Sequence, residues 1–187
     1  LDSLFFLVFL LGSIFMVLEI ISVYFRRNKR SIFHNFNLKL AKSQIIILIG
    51  ENGVGKSSLF DLSVGILKPE KGVIKINEIP INEIDLKKKD LFTYLPHKDS
   101  LKDYLTVEEN LFNWLELVSI KIPKERFLNS LKFFKLNDLR NNLIGNLSQG
   151  QRKKVSLTKL LLTKCNLWIL DEPFSSLDVD SICLLYT

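Results

Sequence analysis

The sequence predicts an α/β fold built around a phosphate-binding loop, and three observations carry that prediction. An apolar run, Ile45 to Ile49, opens into Gly50-Glu51-Asn52-Gly53-Val54-Gly55-Lys56-Ser57-Ser58 and continues as Leu59-Phe60-Asp61-Leu62. Short apolar stretches with strand-like alternation lie on either side of it. Between this loop and a second apolar run, Leu167 to Leu170, which ends in Asp171-Glu172, the apolar positions change to helical spacing.

The first observation has the chemistry in it. Gly50, Gly53 and Gly55 let the backbone bend so that successive N–H groups face one centre, and the helix that follows adds the partial positive charge of its N-terminus. In that frame Asn52, Ser57 and Ser58 line the loop, Lys56 reaches the β and γ phosphates of a nucleotide, and Ser57 is placed to ligate Mg2+. The spacing predicts a nucleotide's phosphates as the bound group, with Mg2+ as their companion ion.

Composition fits this reading. The chain has 187 residues and 47% hydrophobic content, enough for a sizeable core, and its net charge is +6. The basic residues are scattered, with short clusters at Arg26 to Arg30, Lys87 to Lys89 and Arg152 to Lys154, so a solvated face is expected and no nucleic-acid partner. Cys165 and Cys183 offer neither a disulfide framework nor a metal-ligand spacing.

Residues Leu1 to Phe25 are strongly apolar and end at Arg26-Arg27-Asn28-Lys29-Arg30, which reads as a membrane anchor with a positive flank. Glu19 to Phe25 reads equally as the first strand of a nucleotide-binding domain. Met16 is the sole methionine, and the second reading makes residues 1–15 a doubtful extension ahead of a domain spanning 16–182. Ile32 to Leu40 alternates as a half-buried strand, with Phe36, Leu38 and Leu40 on one side. Gly65 and Pro69 end the helix after Lys56; Gly72 to Asn77 and Leu91 to Leu95 are further strands.

Thr106-Val107-Glu108-Glu109 is a capping box that starts a helix with Leu111, Trp114, Leu115 and Val118 on its apolar side. Pro123 begins another, with Phe127, Leu131 and Phe134 on one face. These predict a helical lobe at about residues 98–146. Ser148 is then placed as the N-cap of a helix from Arg152 to Thr163, where a hydroxyl and Gly150 offer a second anion site. Asp171 and Glu172, two acids at the end of a buried strand, are costly to desolvate unless a metal or polar chemistry uses them. Asp171 is expected to hold Mg2+ through water and Glu172 to polarise the attacking water.

The glycine loop, Ser148-Gln149-Gly150-Gln151, the acid pair and Ser176-Leu177-Asp178, in that order and spacing, resemble the ATP-binding domain of the ABC transporter superfamily over about residues 18–182. The resemblance implies a P-loop NTPase (RecA-like) core with an antiparallel β lobe and a helical lobe. It implies a head-to-tail homodimer in which Ser148, Gly150 and Gln151 of one copy complete the nucleotide site of the other, with Asp178 at the seam. An integral membrane transporter subunit is the other implied partner.

Tyr94-Leu95-Pro96-His97, Leu105 to Leu111 and the tryptophan of the acid strand further resemble the haem exporter ATP-binding subunits of cytochrome c maturation. There His97 stands where most relatives carry the glutamine that bridges magnesium, attacking water and the membrane subunit. The implied place is the cytoplasmic face of a bacterial inner membrane, or the matrix face of the mitochondrial one.

The chain departs from that pattern in three places. Gln149 replaces a small residue, Tyr24 and Phe25 are the nearest aromatics to the adenine position, and the strand with the switch histidine is absent, the only histidines being His34 and His97. A C-terminally truncated domain is expected, its sheet left with an unpaired edge, and residues 183–187 read as a non-native tail. Two other functions stay open: the ATPase subunit of another small ABC exporter or importer, and a nucleotide-binding module unable to hydrolyse.

Overall fold

The computed structural model describes residues 6–10 as backbone, and 18–84, 91–165 and 167–177 in full. The elements follow as β1 (Phe6–Leu10), β2 (Leu18–Arg27), β3 (Arg30–Leu40), β4 (Ile46–Leu48), α1 (Lys56–Ser63), β5 (Lys71–Ile76), β6 (Ile79–Pro80), β7 (Phe92–Leu95), α2 (Val107–Leu117), α3 (Lys124–Phe133), α4 (Gln149–Leu162) and β8 (Leu167–Leu170). They divide into two compact units, Leu1–Tyr94 with Cys165–Glu172, and Leu95–Lys164 with Pro173–Thr187.

The first unit holds two four-stranded sheets, ordered β4-β1-β8-β7 and β3-β2-β5-β6. In the second of these, local chemistry sets the turns. Asn28 and Lys29 both take positive φ between paired Arg27 and Arg30, and Asn77 and Glu78 do the same between Ile76 and Ile79, the conformation that matches strand twist in a two-residue hairpin. The basic cluster at Arg26 to Arg30 is therefore a hairpin tip. Arg26 lies on β2 with its Nε 2.9 Å from Glu70 Oε1.

A core fills this unit from both sheets and α1. Ile20, Leu40, Leu62, Ile74 and Ile76 are fully buried in it, and Leu167 and Ile169 of β8 join them. Every residue of β8 is buried, as a strand covered on both faces requires. In β4 one side only is covered: Ile46 and Leu48 pack on the core, while Ile45, Ile47 and Ile49 remain 50%, 46% and 63% exposed.

The second unit is helical. The Thr106 hydroxyl accepts from Glu109 N at 3.2 Å and Glu109 Oε2 accepts from Thr106 N at 2.8 Å, the reciprocal cap that the sequence predicts at the start of α2. Pro123 precedes α3 in extended conformation, so the helix starts one residue later than its position suggests. Phe127, Leu131 and Phe134 are buried together as expected, and Leu136 with them. Trp114 and Val118 are only half-buried; Asn110 instead takes an inward place on α2 and ties down the preceding loop. Its Oδ1 accepts from Lys102 N at 2.7 Å, and its Nδ2 donates to Lys102 O at 3.0 Å and Leu105 O at 3.2 Å.

In the first sheet β1 pairs antiparallel with β4 on one side and with β8 on the other.

Candidate nucleotide site

The phosphate loop leaves β4 and enters α1 with no side-chain cap and no acidic residue in the first turn. Neither the N-cap residue nor a first-turn acid answers the N–H groups at this helix start, whose partial positive charge favours an anion. Gly53 has φ +78° and Gly55 φ +117°, two left-handed positions that let the loop curl before the helix begins. Gly55 is also closely packed, since a Cβ there would lie 2.4 Å from Ile32 Cγ2.

Lys56 Nζ donates to Gly50 O at 2.5 Å and to Glu51 O at 2.7 Å. Loop carbonyls thus orient the ammonium over the loop. Asn52 and Ser57 are exposed, Gly50 is half-buried, and Ser58 is buried against the unit's core, which makes Ser58 a packing residue in this arrangement.

The acids arrive at the same end of the sheet, and the ladder explains why. Leu7 lies level with Ile47 on one side and Leu170 on the other, and Val8 with Ile46 and Ile169. Because β1 runs antiparallel to both neighbours, β4 and β8 point the same way. Gly50 and Asp171 then emerge from one edge, two ladder spacings or about 10 Å apart between strand axes.

Asp171 is 3% exposed and Glu172 half-buried. Glu172 takes φ +50°, a left-handed conformation uncommon for a non-glycine residue, which turns its backbone sharply after β8. The Ser57 hydroxyl and the Asp171 carboxylate are hard oxygen donors, the kind Mg2+ takes alongside substrate phosphates. Among the described residues no group of three or more His, Cys, Asp and Glu is placed to hold a metal by itself. The donor set fits an ion that arrives with a nucleotide.

Tyr94, at the end of this unit, donates its hydroxyl to Asp61 Oδ1 of α1 at 3.1 Å. Burial first, and then the charges of Asp61 and Asp171, push the phenol well above its usual range, so it stays a donor. Composition and motif spacing gave no sign of this link.

Adenine finds no partner in Phe25, which is 7% exposed within the core. Tyr24 is half-buried and meets His34 edge-on, ring centroids 4.8 Å apart.

In the second unit the signature segment forms the start of α4. Ser148 Oγ accepts from Gln151 N at 3.2 Å, and Gln151 Oε1 accepts from Ser148 N at 2.9 Å. This is a full capping box, so α4 begins at Gln149 and not at Arg152, and the Gln151 side-chain oxygen is engaged in the cap. Gly150 is half-buried against the segment after the acids: a Cβ on it would lie 2.6 Å from Ser176 O.

Arg152 fixes the other side of this turn. Its Nη2 and Nε donate to the two oxygens of Asp99 at 3.1 and 3.2 Å, and its Nη1 to Asp103 at 2.5 Å. His97 sits exposed in the bend just before Asp99. Asp178 lies outside the described residues.

The structure thus groups Gly50, Asn52, Gly53, Gly55, Lys56, Ser57, Ser58, Asp171 and Glu172 in the first unit, and His97, Ser148, Gly150 and Gln151 in the second.

Comparison with known proteins gives the family. The ABC transporter family model matches residues 33–175. The cytochrome c biogenesis ATP-binding export protein CcmA of Idiomarina loihiensis is 35% identical over 159 residues, covering 85% of this chain and 72% of the relative. The protein of the same name from Reclinomonas americana is 38% identical over 154 residues, covering 81% and 68%. Among solved structures, a putative ABC transporter ATP-binding protein from Pyrococcus furiosus superposes with a TM-score of 0.73 at 26% identity, over 91% of this chain and 82% of that one. With a family match across most of its length and relatives above 30% identity, the chain belongs to the ABC transporter family.

Proposed function

We propose that this chain is the ATP-binding and ATP-hydrolysing subunit of an ABC transporter that energises haem export or handling in cytochrome c maturation. The observation that carries the enzymatic part is the common exit of the phosphate loop and the acid pair from one end of the β4-β1-β8 ladder. The name shared by the relatives, a cytochrome c biogenesis ATP-binding export protein, supports the process.

In this reading the loop N–H groups and Lys56 hold the β and γ phosphates, and the helix start of α1 favours their charge. Ser57 and Asp171 hold Mg2+, which supplies charge neutralisation at the phosphates. The Glu172 carboxylate orients and polarises the attacking water, and its position one residue beyond Asp171 keeps it at the same strand end. Ser148, Gly150 and Gln151 present a helix start to the nucleotide of a second copy, head to tail, with Asp178 in the segment between them. His97 connects this chemistry to an integral membrane subunit.

The chain then works as a peripheral subunit on the cytoplasmic face of a bacterial inner membrane or the matrix face of the mitochondrial one. Among the described residues no helix is long and apolar enough to cross a membrane.

Glu172→Gln tests the reading. Turnover should drop by about 10²-fold or more, as for loss of a general base, while ATP affinity is kept and an ATP-bound dimer accumulates in light scattering. Unchanged turnover contradicts the role given to Glu172. A chain that binds ATP with no measurable turnover even before substitution is the non-hydrolysing module instead.

A further inference from the structure

The basic cluster at 152–154 reads from sequence as part of a solvated face, yet its first member is engaged. The Arg152 side chain is 22% exposed and meets two carboxylates of the irregular segment that follows β7. Its Nε and Nη2 donate to Asp99 Oδ2 and Oδ1 at 3.2 and 3.1 Å, and its Nη1 donates to Asp103 Oδ1 at 2.5 Å. These three residues belong to the second unit, as do His97 and Ser148.

We propose that Arg152 is a positioning residue: its grip on Asp99 and Asp103 joins the His97 segment to the turn from Ser148 to Gln151, so that the two are presented as one body. The proposal rests on the head-to-tail reading above, in which that turn completes the nucleotide site of a second copy.

Burial does not hold the turn. From Ser148 to Lys154 every residue is exposed or half-buried, and the buried face of α4 starts at Val155. The capping box closes the turn on itself, since both of its hydrogen bonds run between Ser148 and Gln151. Pro96, His97 and Lys98 are exposed likewise, and residues 96–105 form neither helix nor strand. Main-chain bonds zip the far end of that segment to the approach of α4: Ile144 N donates to Leu105 O at 2.9 Å, and Gly145 N to Asp103 O at 3.0 Å. A Cβ on Gly145 would lie 3.2 Å from Asp103 O, so the two stretches run in close contact there. Arg152 extends this tie to Asp99, two residues from His97, from the other side of Ser148.

The chemistry selects arginine. A planar guanidinium gives two N–H groups to one carboxylate and a third to another, a fork that a single ammonium does not reproduce. Asp99 is fixed in turn, because its Oδ1 also accepts from Leu101 N at 3.3 Å and closes the bend beside buried Leu101. A displacement of the His97 segment is therefore passed to the start of α4 through charge-assisted hydrogen bonds.

The test uses the full chain with Arg152→Lys, Asp99→Asn or both. Arg140→Gln is the control, since Arg140 Nε makes a partly exposed ion pair with Glu108 Oε2 at 3.2 Å in the same unit. Turnover at saturating ATP with Mg2+, affinity for a fluorescent ATP analogue, and hydrogen exchange at the amides of Leu101, Ser148 and Gln151 are measured on the same samples. For Arg152→Lys the expected result is turnover lower by about tenfold or more, affinity within about twofold of the parent chain, and faster exchange at the three amides with that of α3 unchanged. The double variant should lose no more than the worse single one, as two halves of one interaction do. Arg140→Gln should match the parent chain.

Parent-like turnover and exchange in Arg152→Lys overturn the proposal. So does a loss of protection in α3 equal to that at the three amides, which would make Arg152 a support of the whole unit. Losses from Arg152→Lys and Asp99→Asn that multiply in the double variant overturn it as well. A parent chain without turnover removes the hydrolytic reading and leaves the tie to the exchange arm: faster exchange at the three amides in Arg152→Lys supports it, and parent-like exchange ends it.

Discussion

Gly150 and the carbonyl of Ser176 are in contact so close that a single methyl group at Gly150 would sit 2.6 Å from the Ser176 oxygen. Ser176 itself has φ +65°, so the backbone it belongs to is already held in a sparsely populated conformation. The signature glycine therefore has a structural duty within one chain: it lets the segment that follows the acid pair lie against the start of α4.

Gly150→Ala tests this duty. The contacting atom is backbone and cannot swing aside, so the substitution should cost about 1–3 kcal/mol in chemical denaturation, as overpacking does. Turnover at saturating ATP should fall while the affinity for ATP stays close to that of the parent chain, since the phosphate loop is untouched. A fall in affinity with unchanged turnover would place Gly150 in ground-state binding.

Gly55→Ala strikes the loop directly. The residue combines φ +117° with an Ile32 methyl 2.4 Å from the position of a Cβ. Strain of about 1–3 kcal/mol is expected from the backbone alone, enough to weaken ATP binding by about tenfold or more. Adding Ile32→Ala removes the steric part and leaves the dihedral part, so the double variant should recover only some of the loss. Full recovery would mean that packing, and not conformation, demands glycine here.

Much of the site was legible because its chemistry needs particular residues in sequence. Gly50 to Ser58 and the run Leu167 to Glu172 appear where spacing and hydropathy put them, and Thr106 and Glu109 form the expected cap. The sequence puts the first residue of this helix at Arg152, whereas α4 begins at Gln149, where Gln151 closes the Ser148 box. Gly72 lies in an expected strand, yet it takes φ +91° and a Cβ on it would collide with the backbone carbonyls of Ile21 and Ser22, beside a register shift in β2. Asn37 Oδ1 accepts from Ser22 N at 2.8 Å at that place, a local compensation no periodicity announces. The pairing of β1 with β4 and β8 has no sequence signal, since main-chain ladders form along any apolar extended segment.

Lys159 gives a pH dependence. It is 4% exposed, its Nζ lies 5.6 Å from the Trp114 ring centroid and 3.3 Å from Ser100 Oγ, and the nearby Asp99 is bound bidentate by Arg152. Burial pushes the ammonium down to about 8, with Asp99 opposing, from an ordinary 10.5. Between these values the unfolded chain holds more protons than the folded one, so stability rises as pH increases from about 8 towards 10.5 and is flat with respect to this group below 8. Urea midpoints followed by helical circular dichroism at pH 7, 8, 9 and 10 should show the rise in the parent chain. Lys159→Met should abolish it; a variant that keeps the rise assigns it to another group.

Tyr94→Phe should cost about 1.5–3 kcal/mol, the usual worth of a hydrogen bond to a charged acceptor. The removed hydroxyl donates to Asp61 at 3.1 Å, and the ring keeps its place. Thermal or urea unfolding measures the loss, and an unchanged midpoint would mean that water serves Asp61 equally well.

The most direct measurement is equilibrium binding of ATP with Mg2+ to the parent chain and to Lys56→Ala. Lys56 is the one side chain whose ammonium the loop carbonyls of Gly50 and Glu51 aim over the phosphate cradle. Saturable binding by the parent chain, weakened by about 10²-fold in the variant with its unfolding midpoint little changed, is the predicted result. Equal affinities for the two chains, or no binding by the parent, would contradict the account.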